Sequence, residues 1–158
     1  MKSVLIPEDR VGVVRKAAKT IERETGVRLS LRGNEVFVDG GGLEEYLAEL
    51  VIKAIGRGFP PETALLLTEE GNRLEILKIP AKNDSLVRIR SRLIGTRGKT
   101  RRIIEFHTGC RLSIYGKTVS IIGPYEGVRV AKKAVEMLIS GSPHGRVYSF
   151  LRKHGKNI

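Results

Sequence analysis

The sequence predicts an α+β fold built twice: two similar units of order β-α-α-β-β-α, each a three-stranded sheet packed on helices, with an extra short helix after each. Three observations predict it. The chain matches itself at an offset of 83 residues: IERETGVRLSLRGNEVFVDG (21–40) lies over IEFHTGCRLSIYGKTVSIIG (104–123) with 10 of 20 positions identical, and 15 of 49 agree over 12–60. Glycines recur at 12/95, 26/109, 33/116, 40/123 and 58/141, and Pro60 overlies Pro143; shared punctuation of this kind implies shared turns. The apolar residues of the second copy also change period in an order that reads strand, two helices, two strands, helix. The first unit is placed at 1–71 and the second at 72–158.

In the second unit RLEILKI (73–79) alternates like a strand. NDSLVRIRSRLIG (83–95) spaces Leu86, Ile89 or Arg90, and Leu93 for a helix behind a candidate Asp84 N-cap, although alternating Val87, Ile89 and Ser91 also permit a strand. KTRRIIEFHTG (99–109) is a helix with Ile103, Ile104 and His107 on one face and Gly109 as its stop. RLSIY and TVSII form a hairpin around Gly116-Lys117. PYEGVRVAKKAVEMLISG is a third helix with Val128, Ala131, Val135 and Leu138 as its buried stripe. RVYSFLRK is the extra helix after Pro143, and PPETALLLTEE is its counterpart in the first copy.

Charge is unevenly placed. The net charge is +12, but residues 1–71 hold 10 Lys/Arg against 12 Asp/Glu, whereas residues 72–158 hold 19 against 5. A half this basic suits a polyanion, which points to nucleic acid. The lone Cys110 excludes an intrachain disulfide framework and fits a reducing cytoplasm. No stretch has the length and apolarity to span a bilayer, so no membrane is expected.

LIGTRGKT (93–100) decides between an enzyme and a binding module. A nucleotide-binding P-loop requires G-x-x-x-x-G-K-[ST], and its first glycine would fall on Leu93. Gly95 leaves only two residues before Gly98, too short a loop to encircle a pyrophosphate, and no Asp follows Asp84 to hold Mg²⁺. A G-x-x-G turn between two helices has another use. Bare backbone at Gly95 and Gly98 lets a sugar-phosphate chain approach, and the following helix N-terminus offers N–H groups to a phosphate. This is the arrangement of a type I KH domain, whose GXXG loop clamps about four nucleotides of a single strand. The fold class is therefore two tandem type I KH domains.

The RNA-binding set follows: Gly95, Thr96, Arg97 and Gly98 form the clamp, with Lys99, Arg101 and Arg102 as its basic helix. Ile94, Ile103 and Leu112 are candidates for the apolar floor of a groove or for ordinary core. Arg111 either reaches a base edge or is solvated, and Lys117 adds charge in the hairpin turn. With 5% aromatic residues and no Trp, a stacking platform is disfavoured. In the first copy Gly12-Val13-Val14-Arg15 occupies the clamp positions, so a degenerate, inactive loop is expected. No catalytic set stands out. His107, His144 and His154 lack ligand spacing, and Cys110, matching Val27, reads as packing. No enzyme activity, metal or cofactor is expected.

GKTRR (98–102), YGKTVSIIG (115–123) and GSPHGRVYSFL (141–151) resemble the archaeal KH-domain factors of small-subunit ribosome assembly, relatives of the eukaryotic partner-of-Nob proteins. The resemblance covers nearly the whole chain. It implies a protein that binds near the 3′ end of small-subunit ribosomal RNA during pre-rRNA processing, beside the Nob-type endonuclease. It also implies an association with the α subunit of archaeal initiation factor two. The rival reading is a protein-interaction scaffold in translation initiation whose basic face meets an acidic partner.

Overall fold

The structure, a computed structural model, describes residues 1–155. The chain divides into two compact units, Met1–Asn72 and the part from Arg73 onward.

The second unit runs β4 (Asn72–Lys78), α4 (Asn83–Ile94), a one-turn 3₁₀ helix (Thr96–Gly98), α5 (Lys99–Thr108), β5 (Arg111–Tyr115), β6 (Thr118–Pro124), α6 (Tyr125–Ile139) and α7 (His144–His154). Its sheet has the order β4-β6-β5, with β5 and β6 antiparallel in the register Leu112↔Ile121 and Ile114↔Val119. Those inward positions meet Ile104 of α5 and the stripe Val128, Ala131, Val135 and Leu138 of α6 in one core. Residues 83–94 are helical: Leu86, Ile89 and Leu93 face the core while Val87 is 61% exposed, so the alternation seen in the sequence has no structural role. Asp84 does not cap this helix. Lys82 occupies the cap position, and Asp84 stands in the first turn, where its charge complements the positive helix end.

The first unit runs β1 (Lys2–Leu5), a one-turn 3₁₀ helix (Glu8–Arg10), α1 (Val11–Thr25), β2 (Arg28–Arg32), β3 (Glu35–Asp39), α2 (Gly42–Gly56) and α3 (Pro61–Ala64), which continues as a 3₁₀ turn to Thr68. Its sheet is antiparallel in the order β1-β3-β2, and Val36 and Val38 of the central strand are fully buried, as are Val14 and Ile21 of α1 and Val51 and Ile55 of α2. The order β-α-α-β-β-α expected of both units therefore holds only for the second. At the repeat offset Lys2–Leu5 lies over Ser85–Arg88, so a strand occupies the positions that form α4 in the second unit. Only the 3₁₀ turn stands where a first helix was expected.

Elsewhere the residues shared by the two copies make the same bonds. Glu22 Oε2 accepts the Leu29 N–H at 2.8 Å, and Glu105 Oε2 accepts the Leu112 N–H at 2.8 Å. Thr25 and Thr108 donate their hydroxyls to the Ile21 and Ile104 carbonyls at 2.6 and 2.7 Å. In each case a helix end is tied to itself and to the strand that follows, which fixes the angle of the helix on its sheet.

A further pair is hidden by a one-residue shift. Arg10 donates from Nε to the Ile55 carbonyl and from Nη2 to the Phe59 carbonyl, both at 2.8 Å. In the second unit Arg92 donates to the Leu138 and Ser142 carbonyls. The acceptors lie 83 residues apart, but the arginines lie 82 apart. Each guanidinium sits at the negative C-terminal end of a long helix, α2 or α6, and ties a last-turn carbonyl to a carbonyl of the loop that follows. Replacing Arg10 by alanine removes two charge-assisted bonds and should destabilise the first unit by about 2–3 kcal/mol. Urea unfolding followed by circular dichroism measures this, and an unchanged midpoint would mean that water replaces the guanidinium without loss.

Candidate nucleic-acid interface

The expected clamp is a four-residue turn whose backbone only glycine can form at its first position. The last turn of α4 closes with the Gly95 N–H donating to Ser91 at 2.8 Å, and the Gly98 N–H then donates to Gly95 at 3.1 Å. Gly95 has φ 77° and ψ 170°, a region open essentially to glycine alone, while Arg97 (55°, 31°) and Gly98 (76°, 15°) are left-handed. Arg97 has a Cβ, so this conformation costs it about 1–2 kcal/mol. The guanidinium of Arg102, one turn into α5, donates to the Arg97 carbonyl and holds it there.

The two glycines do different work. A Cβ on Gly95 would stand 2.6 Å from the Thr100 backbone nitrogen and 2.4 Å from Thr100 Oγ1, so its absence lets α5 start directly against the turn. A Cβ on Gly98 would meet only the end of the long Arg102 side chain, at 3.2 Å, and no backbone. A backbone bounded by one displaceable side-chain end is what an approaching ligand chain requires.

Immediately beyond, α5 begins with Gly98 in the cap position, no side chain capping it and no acidic residue in its first turn. The Lys99 N–H turns back onto the Thr96 carbonyl, so the helix end offers its positive dipole and the first-turn N–H groups beyond Lys99. Thr96, Arg97, Lys99 and Arg102 are exposed, and Arg101 is half-buried. Arg97, Lys99, Arg101 and Arg102 thus gather positive charge around the turn, while Thr100 among them is buried. Ile94 is half-buried beside the turn, and Ile103 packs on the edge of the core. Leu112 is 3% exposed and belongs to the core, because β5 turns it toward Ile121 and α5; it is not a groove floor. Arg111 is exposed at the start of β5, a strand that both α4 and α5 touch, and Lys117 is exposed in the turn between β5 and β6. Lys117 also accepts the Ile79 N–H on its carbonyl at 2.7 Å.

The first unit has no such turn. Gly12, Val13, Val14 and Arg15 are regular residues of α1, and Val14 is fully buried. The degenerate loop expected there is replaced by continuous helix, and Arg15 in place of a second glycine disfavours the left-handed turn that would break it.

Other singled-out residues are structural. The Cys110 thiol is buried, and burial raises its pKa, which disfavours the thiolate a nucleophile needs. His107 is half-buried with its Nδ1 enclosed and unbonded. His144 donates from Nε2 to the Arg92 carbonyl at 3.0 Å. Among the described residues no cluster of His, Cys, Asp or Glu could hold a metal ion, and no helix could cross a membrane. Sequence reading overlooked Thr100, whose hydroxyl meets the Tyr148 hydroxyl at 3.0 Å. The different glycine environments make a test. Gly95→Ala should destabilise the second unit by about 3 kcal/mol or more, and Gly98→Ala by about 1 kcal/mol. Thermal unfolding of both variants measures the difference, and equal losses would contradict the geometry.

Residues 72–156 match a family model described as a eukaryotic type KH domain (KH domain type I). A KH domain-containing protein of Methanocaldococcus jannaschii is 40% identical over 97% of this chain and 73% of its own length. The pre-rRNA-processing protein PNO1 of Coccidioides immitis is 33% identical over 78% of this chain, which spans 50% of that protein. Among solved structures, Dim2p from Pyrococcus horikoshii superposes with a TM-score of 0.90 at 39% identity, covering 96% of this chain and 98% of that one. A second structure, of an a/eIF2alpha–aDim2p–rRNA complex from the same organism, superposes with a TM-score of 0.90 at 39% identity, covering 96% of this chain and 92% of that one. A chain that carries this KH domain and aligns with these relatives over most of its length belongs to the PNO1/Dim2 family of KH-domain proteins.

Proposed function

We propose that this chain is a non-catalytic, cytoplasmic RNA-binding factor of small-subunit ribosome biogenesis, which grips a single-stranded segment of the 3′ region of the ribosomal RNA. The observation that carries the reading is the open, positive-φ backbone at Gly98 leading straight into an uncapped helix N-terminus flanked by Arg97 and Lys99. A phosphate placed there meets backbone N–H groups, a helix dipole and two mobile cations, while the bare turn lets the sugar-phosphate chain lie close. Thr96, Arg101 and Arg102 extend the contact, Ile94 lies under it, and Arg111 and Lys117 supply charge along the neighbouring strand.

In this reading the part from residue 72 onward is the RNA-binding KH domain, and residues 1–71 are a reduced repeat without a clamp. A helix that runs unbroken through residues 12–15 presents neither bare backbone nor a free N-terminus at that point. The relatives support the setting: one is named as a pre-rRNA-processing protein, and a related chain was solved with eIF2alpha and rRNA. The α subunit of the archaeal initiation factor and the Nob-type endonuclease are the protein partners proposed here.

Binding of a labelled single-stranded oligonucleotide from the 3′ region of small-subunit rRNA tests the proposal. For three phosphate contacts, log K should fall with log salt at a slope of about −2. Gly98→Asp should abolish binding by setting a carboxylate against the phosphate while the protein stays folded, because its Cβ meets only the end of Arg102 and aspartate is among the residues that adopt a left-handed backbone. Equal affinity in this variant would overturn the proposal.

A further inference from the structure

The last helix, α7, lies outside the β-α-α-β-β-α unit, yet two of its side chains bond to residues that flank the clamp. Arg92, two residues before the end of α4, donates to the Leu138 and Ser142 carbonyls, and its own carbonyl accepts from His144 at the start of α7. One turn further along α7, the Tyr148 hydroxyl meets Thr100 Oγ1 at 3.0 Å. Thr100 is 2% exposed, is the second residue of α5, and is the residue against which Gly95 is packed. Both flanks of the four-residue turn are therefore tied to α7, one through Arg92 and the other through Thr100.

The other copy provides an internal control. Its arginine strut is present, Arg10 to the Ile55 and Phe59 carbonyls. At the repeat offset, however, Thr100 corresponds to Ala17, Tyr148 to Leu65 and His144 to Pro61, so neither the hydroxyl pair nor the histidine bond can form. Ala17, Leu65 and Pro61 instead line an open groove of about 410 Å³. The strut occurs in both copies and belongs to the fold. The hydroxyl pair and the histidine occur only beside the clamp.

Building on the RNA-binding reading, we infer that Tyr148, acting through Thr100, is a positioning residue of the RNA clamp. It fixes where α5 begins, and hence where the N–H groups after Gly98 point, without itself touching RNA. His144 does the same for the end of α4. A phosphate site made of backbone donors depends on their direction, so a small rotation of α5 weakens every contact at once without removing any.

The test uses the whole chain, a single-stranded RNA oligonucleotide and a salt titration. Tyr148→Phe should bind about fivefold more weakly, the scale of one intramolecular hydrogen bond, with an unchanged salt slope. Lys99→Ala, which removes a cation, should flatten the slope by about 0.7. Thr100→Val should match Tyr148→Phe, the double variant should be no worse than either, and Thr100→Ser should restore wild-type affinity. Amide exchange in the free protein gives an independent reading: Tyr148→Phe should speed exchange at Lys99, whose N–H is bonded to the Thr96 carbonyl across the turn. Wild-type affinity in Tyr148→Phe, additive losses in the double variant, or unchanged amide exchange would each overturn the inference. A wild-type protein that ignores RNA overturns the RNA-binding reading instead, and amide exchange still decides whether Tyr148 holds the turn.

Discussion

The closeness of Gly95 to the Thr100 amide is the constraint on which the site depends. With a Cβ excluded at residue 95, α4 can end and α5 begin within four residues, and the second helix starts facing solvent rather than its predecessor. Nothing else in the turn is so tightly determined. Gly98 has room around it, Arg97 is held in its left-handed conformation by Arg102, and Lys99 and Arg101 follow as consequences of where α5 starts. The first glycine makes the geometry, and the second leaves the space that a ligand can use.

The two copies show how little of a repeated unit must change to lose or gain such a site. Glu22 and Glu105, Thr25 and Thr108, and Arg10 and Arg92 make equivalent bonds, and the sheets share one strand order. The difference is confined to the entry. In the second unit the chain passes from strand to helix to bare turn to helix; in the first, a strand and a single 3₁₀ turn lead into a long α1. The groups that brace the turn, Thr100, His144 and Tyr148, are missing from the first unit together with it. Net charge follows the same division, with the basic excess on the half that has the turn.

Much of this was legible in the chain of letters. The self-match located the hairpin of each sheet, the repeated glycines marked their turns, and the stripe from Val128 to Leu138 is the buried face of α6. The G-T-R-G turn could be read because glycine at both ends is a local signal with a backbone cause. What escaped reading is instructive. The first unit lacks a helix because β1 occupies its positions, a matter of which residues pair across a sheet, and periodicity over four residues cannot report that. Leu112 looked available to a groove because alternation shows that a residue faces inward, but not whether the inside is core or cleft. The arginine strut was hidden by one residue of slippage between the copies, since a long flexible side chain reaches the same acceptors from an adjacent position. Thr100 and Tyr148 are 48 residues apart, with no shared pattern to connect them before the chain folds.

The central claim is that a nucleic-acid backbone is held by the main chain after Gly98. The most direct measurement is a titration of the ¹⁵N-labelled protein with single-stranded ribosomal RNA, following each backbone amide. The account predicts the largest shifts at Thr96 to Arg101, with no comparable change at Gly12 to Arg15, where the same positions of the first copy lie inside a helix. Shifts concentrated anywhere else, with the amides after Gly98 undisturbed, would contradict it.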